Sequence, residues 1–595
     1  MTSGTTAAAV LDLLADFGVT TVFGLPGVHN LSFWDTGGEH HPRIVGVRHE
    51  QTTVYAADGL ARATGGLGVA LTTTGPGAAN ALAAFGEASA SGSPVVIIAS
   101  DVPTTLRRPD GVRGILHESA DQGALFAPLA KAVYRAESSL AAVEAVARAV
   151  GTAMAYPRGP VYVGIPTDVL SAPLTGVGRG IPRARVAASA PPRPVDVDAA
   201  LALIAGSARP VVWAGGGAVQ SEAAEALAAF AARLGAPVVT SFAGRGLLAS
   251  HHPLLVGVPT HEPLVAELIA SADLMIAIGT AFDGMNTRNW SMPMPARLLS
   301  VNADARQVEL NYPADVAVVA DAALFCDAVS LRLRQREVWA DSVFRIAETV
   351  RRGIAADPRT ATAAELLDSV EQGWPEAGSI VCDMAVAGYW VGGYAAVSRP
   401  RQLQYPVGWG TLGYALPAAI GAAQSGTPTL VVCGDGGVAM ALGELATLVQ
   451  ERLPVTVLVV DDGGYGMLRY DQKSLGQAAA GVDRVGPDWL ALADAFQIPA
   501  ELADAPGEPL RAALARAATA DGPRLVLLNA ALHPPRTTSP RWKDGCPDAR
   551  DPVRCCRSGS EGAGQRVGSV GGARRLFRRL GGSHGSDPGC TLRHW

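Results

Sequence analysis

Cysteine is scarce where a fold would need it. Of seven cysteines in 595 residues, Cys326, Cys382 and Cys433 stand singly in apolar surroundings, and Cys546, Cys555, Cys556 and Cys590 crowd into the C-terminal tail. No spacing in the body reads as a disulfide framework or a zinc site, so a reduced, cytoplasmic protein is expected. Long apolar runs are missing: Pro94 to Ala99 is far too short to span a bilayer. No basic segment precedes an apolar core at the N-terminus, where Met1-Thr2-Ser3-Gly4 leads into an amphipathic stretch, Ala7 to Phe17, so no signal peptide is expected. An excess of positive charge is absent as well. Lys and Arg number 48 against 54 Asp and Glu, a net charge of −6, which argues against nucleic acid or an anionic membrane surface as partner. What remains is a globular composition, 48% hydrophobic and 17% charged, at a length that suits roughly three or four domains.

Short apolar runs alternate with helical stretches along the body. Thr20 to Gly24, Gly68 to Thr72, Val95 to Ala99 and Val161 to Ile165 read as strands, with Ala-rich helices over Gln51 to Thr64 and Ala78 to Ala90. Such alternation predicts a parallel sheet covered on both faces. Ala190-Pro191-Pro192-Arg193-Pro194 reads as a linker. A second α/β unit begins at Arg209 and runs into Gly215-Gly216-Gly217, with strand signals at Pro237 to Thr240, Leu274 to Gly279 and Arg297 to Val301. The three glycines could cradle a dinucleotide phosphate, but the full fingerprint is lacking and a bare strand–turn–helix is the plainer reading. A third unit follows a helix near Ala363 to Gln372, with strands at Ser379 to Cys382, Thr429 to Cys433 and Val455 to Val460. The expected fold class is therefore α/β: three doubly wound parallel-sheet domains over 1–172, 195–333 and 360–542. Residues 543–595, dominated by Gly, Ser, Arg and Cys, carry no periodicity and are expected to be a disordered tail.

Chemistry is signalled most strongly at Val431-Val432-Cys433-Gly434-Asp435-Gly436-Gly437, an apolar strand ending in a Gly-Asp-Gly turn before a helical stretch through Glu444. A carboxylate at a strand's carboxyl end, flanked by glycines, suits a hard cation beside phosphate. A second strand ends in Asp461-Asp462-Gly463-Gly464-Tyr465-Gly466, placing Asp462 27 residues beyond Asp435. Three further segments stand out. They are Val47-Arg48-His49-Glu50-Gln51, Thr72-Thr73-Thr74-Gly75-Pro76-Gly77-Ala78-Ala79-Asn80, and Gly408-Trp409-Gly410-Thr411-Leu412-Gly413.

Together, in this order, these segments resemble those of the thiamine-diphosphate enzymes of the acetolactate synthase, pyruvate oxidase, benzoylformate decarboxylase and benzaldehyde lyase type. The resemblance covers roughly residues 4 to 542. It implies a pyrimidine-binding N-terminal domain, a central domain and a C-terminal diphosphate-binding domain. It also implies that Asp435, Asp462 and Gly464 hold Mg²⁺, although the family usually has two asparagines where this chain has Asp461-Asp462. Cofactor contacts are implied for Gly434, Gly436, Gly437, Tyr465, Gly466 and Met467, and for Gly75, Pro76, Gly77 and Asn80 on the pyrimidine side. Gly410 is expected to offer a carbonyl to the cofactor's amino group, and Leu412 to be the wedge that bends the cofactor. Glu50 is implied as the acid that activates the cofactor through its aminopyrimidine ring. A homodimer or homotetramer follows by the same resemblance, since the two half-sites of the family belong to different subunits.

The branch is set by fewer residues. Some decarboxylases of the family carry a histidine in the turn before Gly-Pro-Gly; Thr73 and Thr74 stand there in this chain, as in acetolactate synthases. Gly114-Ile115-Leu116-His117-Glu118-Ser119 lies where acetolactate synthases have Phe-Gln-Glu, with Leu116 and His117 replacing the first two. His29 occupies a position that resembles the active-site histidine of benzaldehyde lyase, and imidazoles near their usual pKa move protons well. The leading expectation is decarboxylation of a small 2-oxo acid with carboligation, by a transferase or carboxy-lyase. A non-ligating decarboxylase and a benzaldehyde-lyase-like carboligase are the alternatives, and an inactive cofactor-binding or regulatory paralogue is the alternative of a different class. Val28, His29, Thr73, His117, Tyr465, Met467 and Leu468 are expected to line the substrate pocket. Gly279-Thr280-Ala281-Phe282-Asp283 is reminiscent of the flavin-binding region of acetolactate synthases, so FAD is a possible further cofactor.

Overall fold

The computed structural model describes residues 4–536 apart from 36, 37, 39, 109, 110, 175–184, 341 and 342. The expected tail from 543 onward lies outside the described residues. Among the described residues three parallel sheets follow one another. The first has six strands in the order Arg43–Gly46, Thr21–Gly24, Gly68–Thr72, Val95–Asp101, Val161–Pro166, Ala132–Arg135. The second has five, Val316–Val319, Leu298–Asn302, Leu274–Ile278, Pro210–Ala214, Val238–Thr240. The third has six, Leu403–Gln404, Ser379–Cys382, Thr429–Gly434, Val455–Asp461, Arg524–Asn529, Ala500–Ala503.

The unbroken apolar runs have a direct physical cause. Alternate residues of a strand point to opposite faces, and both faces are covered. In the first sheet Ala70, Val95, Ile97 and Ala99 join one core while Val69, Leu71, Val96 and Ile98 join another. In the third, Val431, Cys433, Val457 and Val459 share a core with the first sheet's helices, whereas Leu430, Val432, Leu458 and Val460 share one with the central domain. The N-terminal and C-terminal domains meet where the helix Glu50–Thr64 crosses the helix Ala415–Ala422. Glycine makes this crossing close: a Cβ at Gly421 would overlap the Ala56 carbonyl oxygen, and one at Gly59 the Ala418 oxygen.

Several expectations need correction. The helix expected over Ala78 to Ala90 is two, Pro76–Asn80 and Leu82–Ala90. The expected linker ends one residue sooner, because Pro194 is the first residue of the helix Pro194–Ala205, where a missing N–H costs nothing. The helical stretch after Gly-Asp-Gly is interrupted, Asp435–Val438 being followed by a 3₁₀ turn, Ala439–Ala441, and then Glu444–Gln450. Five of the six strands not foreseen are sheet edges: Arg43–Gly46, Ala132–Arg135, Val316–Val319, Leu403–Gln404 and Ala500–Ala503. No described helix is long and apolar enough to cross a membrane.

Candidate active site

In a parallel sheet the loops leaving the carboxyl ends of adjacent strands cluster on one rim. On the first sheet four such loops carry predicted residues. Gly24 leads to His29, Gly46 to Glu50, Thr72 to Gly75-Pro76-Gly77, and Asp101 toward His117. Glu50 opens its helix behind His49, whose Nδ1 accepts from Gln51 N at 3.2 Å. The Arg48 and His49 N–H groups donate to Glu444 Oε1 at 3.0 and 3.1 Å, which ties this turn to the C-terminal domain. Asn80 Nδ2 donates to Glu50 Oε2 at 3.0 Å. A Cβ at Gly77 would stand 2.5 Å from Thr73 Cγ2 and 3.3 Å from Glu50 Oε1, so a side chain there would clash with Thr73 and crowd the carboxylate.

His29 and His117 meet on this rim with ring centroids 5.5 Å apart, each with a buried Nδ1 that has no protein partner. Burial lowers the His29 pKa, the His117 charge lowers it further, and Asp101 opposes both. His117 takes a left-handed backbone, φ 68°, and its carbonyl oxygen lies 2.6 Å from where a Cβ at Gly75 would stand. Val28 and Leu116 are exposed beside the pair.

The third sheet gathers the remaining residues at its own carboxyl ends. Leu412, Gly434, Asp435, Gly436, Gly437, Asp462, Gly464, Tyr465, Gly466, Met467 and Leu468 line one cavity of about 120 Å³. Asp435 is 4% exposed, and its Oδ1, like that of Asp462, is buried without a hydrogen-bond partner. Burial raises the Asp435 pKa, with Asp461 adding to it. Burial and then the Asp435 charge push Asp462 up to about 6, against Arg469, whose Nη1 is 3.7 Å from Asp462 Oδ1. Two buried acidic oxygens without a hydrogen-bond donor, one of them facing a guanidinium only at 3.7 Å, are costly unless a further cation takes them. The Gly464 carbonyl belongs to the same corner, close to Gly436. Among the described residues no group of three or more His, Cys, Asp or Glu side chains could hold a metal. A hard cation here would therefore be completed by backbone and phosphate oxygens. That donor set fits Mg²⁺ with a diphosphate.

Gly410, with φ 76°, and Gly413 belong to the loop that descends to this cavity at Leu412. The loop is held by a residue that motif reading missed. Asp383 is buried, and its carboxylate accepts from Gly413 N at 3.0 Å and from Met384 N at 2.8 Å. Burial pushes it to about 6 in spite of these donors. Its signal was available: it directly follows the strand Ser379–Cys382, as Asp435 follows Gly434. Met384, Ala385, Val386, Tyr389, Ala530 and Leu532 also line the cavity and carry no motif. None of Glu50, His29, Thr73, Val28 and His117 is among its described lining residues.

The glycines of the central domain have a packing role. Gly217 and Gly279 stack backbone to backbone, a Cβ at Gly217 falling 2.9 Å from Gly279 Cα. Gly216, Gly217 and Gly279 to Ala281, with Asp283, border a wide cleft of about 620 Å³ between the domains.

Three sequence-family descriptions match the chain in order. They are "Thiamine pyrophosphate enzyme, N-terminal TPP binding domain" over residues 4–125, "central domain" over 197–329 and "C-terminal TPP binding domain" over 383–528. None names a flavin. A probable 2-ketoarginine decarboxylase of Pseudomonas aeruginosa is 36% identical over 509 residues, covering 83% of this chain and 88% of the relative. A probable acetolactate synthase large subunit of Methanocaldococcus jannaschii is 30% identical over 525 residues, 84% of this chain and 88% of the relative. The acetolactate synthase isozyme 3 large subunit of Escherichia coli is 29% identical over 517 residues, 82% and 88%.

Proposed function

The chain belongs to the thiamine pyrophosphate enzymes, and from that premise we propose that it decarboxylates a 2-oxo acid and delivers a proton to the carbon left behind, with His29 and His117 managing that proton. Bound thiamine diphosphate supplies the electron sink for the carbanion that remains when CO₂ departs. The chain's residues do the rest. Asp435, Asp462 and the Gly464 carbonyl would hold Mg²⁺ and with it the diphosphate, and Leu412, Met384 and Met467 line the cavity with apolar surface. Glu50, oriented by Asn80, would be the carboxyl group that gives and takes a proton at the cofactor's aminopyrimidine side.

The observation that carries the choice of reaction is the His29–His117 pair. Two imidazoles this close cannot easily both be charged, because the first proton repels the second. Burial and the neighbouring ring both lower the His29 pKa, which favours an imidazole free to take up a proton, and the Nδ1 atoms of both rings are buried without a protein partner, an arrangement suited to moving protons at the reacting carbon and oxygen. A second reading, transfer of the acyl carbon to another carbonyl, is supported by the Thr73-Thr74 turn and by the acetolactate synthases among the relatives. The purified protein, given pyruvate and then a panel of larger 2-oxo acids with thiamine diphosphate and Mg²⁺, should release CO₂ and the matching aldehyde. A 2-hydroxyketone or 2-hydroxy-2-alkyl-3-oxo acid as main product would instead establish carboligation. A homodimer or homotetramer is part of the proposal: Glu50 and the histidines lie on a different rim from the cation corner, so a second copy supplies the missing half of each site.

A further inference from the structure

We propose that Gln122 is a positioning residue for cofactor activation: its amide fixes the Thr74–Gly75 turn and, through the helix Pro76–Asn80, sets where Glu50 stands. This rests on the reading of Glu50 given above. Gln122 is 2% exposed and uses its full hydrogen-bonding capacity. Its Oε1 accepts from Gly75 N at 2.6 Å and Thr74 Oγ1 at 2.9 Å, and its Nε2 donates to Ser100 O at 2.9 Å and Tyr162 Oη at 2.7 Å. The orientation of the amide is forced, because the Gly75 N–H can only donate and the Ser100 carbonyl can only accept.

A buried amide is worth keeping only if it does something that an apolar side chain of the same size cannot. Here it anchors a turn that has few other anchors. Thr74 is fully buried. Gly75, at φ 64°, is wedged against the His117 carbonyl on the other side. The turn is thus clamped between Gln122 and His117, five residues apart on one segment. The helix that leaves the turn spans only Pro76–Asn80 and contains both Gly77 and Asn80, the residues against Glu50. A shift of Gly75 passes directly to the carboxylate, with no intervening slack.

Two measurements test this. In the cofactor-free protein, Gln122→Met should speed hydrogen exchange at the Gly75 amide, while amides of the strand Val95–Asp101 stay protected. In the protein loaded with thiamine diphosphate and Mg²⁺, the same variant should slow proton–deuteron exchange at the thiazolium carbon by roughly tenfold to a hundredfold, the scale of a misplacement near 1 Å. Any loss of cofactor affinity should be far smaller than that of Asp435→Ala, because the variant moves only the pyrimidine-side turn and leaves the cation corner untouched. Gln122→Glu is a sharper probe: its carboxylate faces the Ser100 carbonyl, but once protonated its single O–H can donate to that carbonyl while the Tyr162 hydroxyl turns to donate to it. Its deficit relative to the native protein should therefore shrink as pH falls, which a merely space-filling role would not produce. Thr74→Val, a milder change that removes one of the four bonds, should give a smaller loss and guards against misfolding of the first variant. Folded variants with native rates at both the Gly75 amide and the thiazolium carbon would overturn the proposal. A native protein that shows no thiazolium exchange would instead overturn the reading of Glu50, leaving the Gly75 amide to report on Gln122.

Discussion

If Glu50 only favours the start of its helix, Glu50→Gln should cost about 0.3–1 kcal/mol of stability and leave chemistry intact. If it exchanges a proton with the cofactor, the amide cannot serve, and thiazolium proton–deuteron exchange should slow by roughly 10²–10⁴-fold while the cofactor still binds. Acid quench and NMR of the bound cofactor separate the two. A second residue-scale expectation concerns the cation corner. Asp462 is pushed up to about 6, chiefly by burial, and a metal ligand must be deprotonated. Above that pH the carboxylate is charged and Mg²⁺ meets no competing proton. As pH falls through 6 the proton wins, and the apparent Mg²⁺ affinity should drop by up to roughly tenfold per pH unit for this one group. Calorimetric titration of Mg²⁺ with thiamine diphosphate across that range measures it. Asp462→Asn should keep binding and flatten this dependence, whereas Asp435→Ala should lose cofactor retention at every pH.

Two helices of this chain cross closely where glycine permits. Gly421→Ala drives a methyl group into the Ala56 carbonyl at the crossing of Glu50–Thr64 with Ala415–Ala422. It should cost about 1–3 kcal/mol or more as overpacking, seen as a lower Tm. Gly353→Ala, on the exposed face of the helix Val343–Ala356 with open space around it, should raise stability by about 0.5–1 kcal/mol. The same scale explains what sequence reading could and could not find. Strands buried on both faces, such as Gly68–Thr72 and Val455–Asp461, are continuous apolar runs and are legible. Edge strands such as Ala132–Arg135 and Ala500–Ala503 are half exposed and carry no such run. Arg524–Asn529 is a different case: Leu525-Val526-Leu527-Leu528 is apolar enough, but a four-residue run does not distinguish strand from helix. The break at Ala81 has only a weak signal, the single poor helix former Asn80 just before it, in a stretch otherwise rich in alanine.

At the scale of the whole molecule, the rim that carries Glu50 and the cavity that carries Asp435 are distinct surfaces of one chain. If each is completed by a second copy, inactive chains should complement one another. Glu50→Gln and Asp435→Ala variants, each inactive alone, should recover activity when mixed and allowed to exchange subunits. One site per mixed dimer pairs an intact Glu50 with an intact Asp435, so random association of symmetric dimers gives roughly a quarter of native activity. No recovery after demonstrated subunit exchange would mean that both residues serve the same copy's cofactor.

The sequence by itself determined the family, the three α/β units and the positions of Glu50, Asp435 and Asp462. These depend on local patterns: apolar runs, strand-end carboxylates and glycines at fixed spacing. Tertiary structure alone decided which of those residues share a surface. It brought the rings of His29 and His117, far apart in the chain, to 5.5 Å, because the loops that carry them leave the carboxyl ends of strands on either side of Gly68–Thr72 and meet over one rim. It gave the strand-end carboxylate of Asp383 its partner, the Gly413 amide, and it placed Gln122, which no local pattern marks, against the Gly75 turn. It also assigned the central glycines to the packing of one turn on another, a contact between backbone segments that no spacing within a single stretch of chain encodes.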